Sequence, residues 1–323
     1  MKLGIPALFT LLLAISSASG FSIESKRTRA TNSALFRSQT FHSEQRNHFQ
    51  PKKSQTTLDR LHMAGGDGSL KSYPTLAQEM IAEFIGTFII VQIGCGTVCA
   101  AIYKAAQVGL WQIAAVWAIA VTVAISSTAA ISGAHLNPAI TLAFAAVRDF
   151  EWKKVIPFIV AQVSGAVAAA GVNFALFRES IASFEAASSI VRGTAESVKS
   201  AAAFGEYWSV SNWITAFFAE AYGTAFLAFI IFALTNEKNE TTAKNSFMIP
   251  PLIGATVASL ISVIAPLTQA GFNPARDFGP RIVALLAGWK GIAMQGWWVY
   301  VLAPIVGAPI GAFVADKVLY KND

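Results

Sequence analysis

Asn137 and Asn273 carry the most distinctive chemistry of this 323-residue chain. Each opens an Asn-Pro-Ala triplet. The first stands in Ser132-Gly133-Ala134-His135-Leu136-Asn137-Pro138-Ala139, the second in Ala270-Gly271-Phe272-Asn273-Pro274-Ala275-Arg276-Asp277. An asparagine oxygen accepts from free backbone N–H groups in a first helical turn, and proline suits the next position because its missing N–H costs nothing there. Both triplets therefore predict helix starts. With its oxygen occupied in capping, each Asn NH2 is expected to face a lumen as a donor. The carbonyls of the extended segments 133–135 and 270–272 are expected to accept. That is hydrogen-bond exchange with a small polar molecule, without bond breaking. No nucleophile–base set, metal cluster or phosphate loop occurs in 73–323, so neither enzyme chemistry nor a cofactor or metal is expected.

Three ionisable residues in apolar sequence also call for a role. Glu83 and Glu220 are acids inside long apolar segments and are functional suspects for that reason. The competing reading, favoured by their matched positions, is a scaffold role in which each carboxylate holds the backbone of a non-helical loop. Arg276 lies about one turn from Asn273 and reads as a lumen-lining donor and cation barrier. The alternative is an arginine paired with Asp277 or another acid. Trp117 and Ile261 are expected to reach the level of Arg276. His135 reads as a neutral loop histidine, lining the wall or packed in the core. Cys95 and Cys99 read as small packing residues.

The elements that must position these groups are membrane helices. The chain is 54% hydrophobic and 13% charged, a membrane composition. Apolar segments are read at 77–103, 105–147, 155–177, 207–234, 245–275 and 291–315. A spanning helix needs about 20 residues. The stretches 105–147 and 245–287 are too long for one span and too short for two with a turn. One span plus a half-length re-entrant helix fits each, with the half-helices at 137–147 and 273–287. A non-helical stretch such as 132–136 is tolerated at that depth only inside protein or against a watery cavity. Ser164, Gly165, Ala168, Gly171, Gly307 and Gly311 are expected to let spans pack closely.

The two halves repeat. Ala82-Glu83-Phe84-Ile85-Gly86-Thr87 matches Ala219-Glu220-Ala221-Tyr222-Gly223-Thr224, and the Asn-Pro-Ala triplets follow at nearly the same offset. Three spans per half make the second copy inverted, which puts the binding region near the midplane. Opposed half-helices would then meet by their N-termini, each carrying about half a positive charge. Cations, hydronium included, are repelled there. Basic residues place both termini on the cytosolic or stromal side.

Residues 1–72 hold ten Lys/Arg and four acids, the whole of the net charge of +6, so that charge points to a leader and not to a nucleic-acid partner. Residues 1–20 read as a signal peptide. Residues 21–72 read as a disordered, transit-peptide-like stretch, the membrane domain following at 73–323 with repeats near 75–178 and 210–318. Such a bipartite leader resembles those of algae with secondary plastids, with a plasma membrane or endomembrane as the alternative address.

Ser-Gly-Ala-His-Leu-Asn-Pro-Ala and Asn-Pro-Ala-Arg-Asp-Phe-Gly-Pro-Arg resemble the aquaporin, or major intrinsic protein, family over about residues 75–315. Asp277 after Arg276, and Ile190-Val191-Arg192-Gly193, are similar to the glycerol-facilitator branch. The resemblance implies an all-α membrane fold of six spans plus two half-helices, four protomers with a pore in each, and a lipid bilayer as surroundings. It implies passage of glycerol, water and small neutral solutes. The pore residues implied are Asn137, Pro138, Ala139, Asn273, Pro274 and Ala275, with loop positions Gly133, Ala134, His135, Gly271 and Phe272. The implied filter is Trp117, Ile261, Ala270 and Arg276, and the implied scaffold Glu83, Glu220 and Asp277. Ile261 and Ala270 depart from the Gly and Phe of glycerol facilitators and are closer to the plant nodulin-like proteins. A mainly water-selective pore, or one for ammonia, urea or metalloid acids, is therefore the alternative.

Overall fold

A computed structural model describes residues 73–107 and 109–321. The expected leader boundaries lie outside the described residues. The main helices are α1 (Leu76–Lys104), α2 (Leu110–Ser132), α3 (Pro138–Val147), α4 (Trp152–Ala187), α5 (Trp213–Leu234), α6 (Ile249–Thr268), α7 (Pro274–Ala284) and α8 (Trp297–Phe313). Six helices are long and apolar enough to cross a membrane. The exceptions are α3 and α7, with 10 and 11 residues. At 1.5 Å per residue they reach about halfway through a core of about 30 Å. The all-α expectation of six spans with two half-helices is met.

The helix ends have local causes. Thr75 and Gln78 form a reciprocal cap on α1: the Thr75 hydroxyl accepts from the Gln78 N–H at 3.3 Å and the Gln78 side chain from the Thr75 N–H at 2.8 Å. Asn212 caps α5 by accepting from the Thr215 N–H, so α5 begins at Trp213 and not at Tyr207 as the apolar run suggested. α4 continues to Ala187 through Arg178, Glu179 and Glu185, past the end of its apolar stretch. α7 ends at Ala284, where the sequence reading ran to 287. The chain widens there into a π turn, Leu285–Trp289, in which Gly288 takes φ 103°.

Close backbone approach pairs α1 with α4 and α5 with α8. A Cβ on Gly165 would meet the Phe84 carbonyl, and Cβ atoms on Gly307 and Gly311 would meet those of Ala221 and Ala225. Small residues are what such contacts require in a membrane, where burial gives helices no hydrophobic drive to associate. Gly171 does not belong to this set: nothing lies within 4 Å of where its Cβ would stand.

Hydrogen bonds define two opposite faces. On one, Arg148 at the end of α3 makes a two-pronged ion pair with Asp316 at 2.6 and 2.7 Å and donates to the Thr235 hydroxyl at 2.6 Å. Lys154 pairs with Glu79 on the same face. On the other, the Tyr103 hydroxyl at the end of α1 donates to the Ser200 carbonyl in the α4–α5 connection at 2.6 Å. Asn239 caps a short helix, Glu240–Lys244, and its amide nitrogen donates to the Ala233 carbonyl.

Candidate functional site

Glu83 on α1 and Glu220 on α5 are fully buried. A buried carboxylate is costly unless it is well hydrogen-bonded. Glu83 accepts from the Ser132 hydroxyl at 2.6 Å, the His135 N–H at 2.9 Å, the Leu136 N–H at 2.7 Å and the Gln162 amide at 2.7 Å. Glu220 accepts from the Thr268 hydroxyl at 2.6 Å, the Gly271 N–H at 3.0 Å and the Phe272 N–H at 2.8 Å. Ser132, His135 and Leu136 correspond in the repeat to Thr268, Gly271 and Phe272. The scaffold reading of both acids is therefore the one the geometry supports.

These carboxylates hold an unusual backbone. The sequence predicts extended backbone over 133–135 and 270–272. Instead Gly133, Ala134 and Leu136 have φ of 84°, 52° and 51°, and Gln269, Ala270 and Phe272 have 65°, 63° and 54°. Left-handed conformations at non-glycine residues cost about 1–3 kcal/mol each and persist only where surroundings enforce them. The turned backbone aims N–H groups at the acids. Gly86 and Gly223 then receive the Leu136 and Phe272 side chains, leaving no room for a Cβ. Phe272 thus presents its carbonyl at the site while its ring packs among the helices.

The loops meet where α3 and α7 begin. Asn137 accepts from the Ala139 N–H at 2.9 Å, and Asn273 from the Ala275 and Arg276 N–H groups at 3.0 and 3.2 Å. The amide nitrogen of Asn137 donates to the Phe272 carbonyl at 2.9 Å, and that of Asn273 to the Leu136 carbonyl at 2.8 Å. The expectation that each NH2 lies wholly free for a lumen is corrected by this cross-link. A primary amide has two N–H groups, so one per asparagine remains. Pro138, Ala139, Pro274 and Ala275 form the first turns behind the asparagines.

Of Trp117, Ile261, Ala270 and Arg276, the structure brings Arg276 against Trp117, while Ile261 and Ala270 belong with Trp117 to one extended buried apolar cluster. The Arg276 guanidinium carbon lies 4.2 Å from the centroid of the Trp117 ring. Gly94 on α1 gives that ring its place, since a Cβ there would overlap it. Arg276 also forms an ion pair, but not with Asp277: its partner is Glu206 from the α4–α5 connection. Asp277 pairs with Arg281 at 2.8 Å, both fully buried. Asp277 also accepts from the Glu206 N–H at 2.8 Å, while Arg281 donates to the Glu206 carbonyl.

A sequence profile described as Major intrinsic protein matches residues 70–315. The chain belongs to the major intrinsic protein family. It is 41% identical over 255 residues to the glycerol uptake facilitator protein of Escherichia coli K12, covering 77% of this chain and 90% of that one. It is 40% identical over 255 residues to the Haemophilus influenzae protein of the same name, covering 77% and 96%. A propanediol uptake facilitator of Citrobacter freundii is 38% identical over 256 residues, covering 77% and 94%. Among solved structures, the aquaglyceroporin from Plasmodium falciparum superimposes with a TM-score of 0.65 at 25% identity, covering 76% of this chain and 97% of that one.

In this major intrinsic protein the remaining sequence candidates have structural places. His135 stacks on Phe144 at 4.5 Å between ring centroids, with Phe150 and Phe158 beside it. It is a packed core histidine. Arg192 pairs with Glu185 at 2.9 Å, donates to the Ala287 carbonyl at 2.8 Å and lies 4.0 Å from the Trp289 ring centroid. It places a cation just past the C-terminal end of α7, where the helix dipole favours one. Cys95 and Cys99 are buried and unpaired with each other. Sequence reasoning missed Gly94, Arg281 and Glu206. Glu206 left one signal: it is the lone charged residue between Lys199 and Glu220.

Proposed function

We propose that this major intrinsic protein is a passive channel for glycerol and other small uncharged solutes, with water, that excludes ions and protons. The observation that carries the reading is the N-terminus-to-N-terminus meeting of α3 and α7, cross-linked through Asn137 and Asn273. Two positive helix ends at one point oppose a cation, while the remaining amide N–H groups and loop carbonyls suit a hydroxyl that donates and accepts. The 41% identity to a glycerol uptake facilitator supports the same solute class. Trp117 and Arg276 supply an apolar face beside a hydrogen-bonding one, which matches the two sides of a polyol.

Ile261 and Ala270, which share a buried apolar cluster with Trp117, favour a second reading, a pore that also admits ammonia, urea or metalloid acids. Side-by-side stopped-flow shrinkage of proteoliposomes in glycerol, urea and impermeant sugar gradients tests both. Glycerol permeability many-fold above empty liposomes, without any pH gradient, is expected. Uptake that requires a proton gradient would show a coupled transporter instead.

The functional unit is proposed to be a homotetramer in a lipid bilayer, with both termini on the cytosolic or stromal side. The proposed address is a plastid membrane, on the composition of residues 1–72. A fluorescent fusion of those residues is expected to reach the plastid. Retention in the secretory pathway would move the protein to an endomembrane or the plasma membrane.

A further inference from the structure

Three positive features converge on the proposed path: the N-termini of α3 and α7 and the guanidinium of Arg276. Such a field turns cations away, but it draws anions in. Something must offset it if the pore is to refuse both signs. Glu83 and Glu220 have their oxygens committed to the loops behind the path. Asp277 is committed to Arg281 and the Glu206 N–H. The acid that meets the Arg276 guanidinium is Glu206.

Its position is set by strong constraints. The Glu206 N–H is held by Asp277 and its carbonyl by Arg281, so a fully buried ion pair on α7 grips the residue at both ends of its backbone. The next residue is fixed as well, the Tyr207 N–H donating to the Gln269 side chain at 2.6 Å. The Glu206 Cγ lies 3.6 Å from where a Cβ on Gly271 would stand, which places it against the second pore loop. Its side chain is 8% exposed and that of Arg276 is 6%. At such burial solvent screens neither charge.

We propose that Glu206 is the anion barrier of this channel, acting through the charge of Arg276 and not through contact with the neutral solute. It brings the net charge at Arg276 close to zero. The proposal rests on the channel reading above, and glycerol flux reports on that reading separately.

The test uses the full-length protein in liposomes that enclose a nitrate-quenched fluorophore, with valinomycin and potassium to balance charge. Glycerol-driven shrinkage is followed in parallel. Wild type is expected to pass glycerol and hold nitrate out. Glu206→Gln keeps the side-chain volume and removes the charge. It is expected to still pass glycerol and to raise nitrate influx about 10- to 100-fold, from the loss of a unit charge at contact distance. Glu206→Asp should remain tight to nitrate. Adding Arg276→Gln to Glu206→Gln should restore tightness, because the excess positive charge is then gone.

A nitrate-tight Glu206→Gln channel that still conducts glycerol overturns the proposal. So does a double variant as leaky as the single one, which would mean a widened opening and not an unbalanced charge. Loss of glycerol flux in both Glu206→Gln and Glu206→Asp overturns it too, making Glu206 a structural brace. Wild type that passes no glycerol sinks the channel reading itself, and the inference with it.

Discussion

Glu83→Leu is expected to destroy the folded channel. The substitution strips the acceptor from the Ser132 hydroxyl, the His135 and Leu136 N–H groups and the Gln162 amide in one step. Each buried donor left without a partner costs about 1–3 kcal/mol. Together they are comparable in size with a typical folding free energy of about 5–15 kcal/mol. The left-handed Ala134 and Leu136 then lose what enforces their conformation. Thermal unfolding in detergent should show a drop of well over 10 °C or no folded species at all, and glycerol flux should vanish. Glu83→Gln should be milder. It keeps one acceptor oxygen, yet its NH2 must face a donor. Glu220→Leu should fail in the same way, because its three donors match those of Glu83 through the repeat. A Glu83→Leu protein that melts and conducts like wild type would remove the scaffold role altogether.

Asp277→Ala carries the second large effect. It leaves Arg281 fully buried without its counter-ion, a change that typically costs about 3–5 kcal/mol. It also frees the Glu206 N–H, so the consequences reach the Arg276 pair. Replacing both charges, Asp277→Leu with Arg281→Met, should recover part of the loss, since swapping a whole buried pair for apolar groups is often tolerated. Recovery should stay incomplete, because Arg281 also donates to the carbonyls of Ala293, Gln295 and Glu206. Melting curves for the single and double variants decide the matter. Equal losses in both would show that the carbonyl contacts, and not the Asp277 charge, fix Arg281.

Much of this arrangement was legible because a bilayer restricts the choices. Pro138 and Pro274, each after an asparagine in apolar sequence, could only begin helices, and the lengths of 105–147 and 245–287 left room for half-spans. The matched acids in Ala82–Thr87 and Ala219–Thr224 gave the repeat and, with it, the scaffold reading. What escaped was geometry that no periodicity records. The donation of Asn137 to Phe272 joins residues far apart in the chain, and nothing local in either loop announces it. The positive φ of Leu136 and Phe272 falls on bulky residues, where composition argues for extended backbone. Glu206 sits in a connection without regular pattern, so its approach to Arg276 depends on tertiary contacts with Asp277 and Arg281. Gly94 looked like any small residue of a membrane helix until the Trp117 ring was seen lying on it.

The crossed asparagine bonds carry a consequence for biogenesis. The ribosome delivers Leu136 and Asn137 long before Phe272 and Asn273 exist. Throughout that interval the first loop has neither its donor for the Leu136 carbonyl nor its acceptor for the Asn137 amide. The centre of the molecule therefore cannot close until the second loop has been made and brought to the first. A chain truncated between the halves lacks the partners of the Leu136 carbonyl and the Asn137 amide.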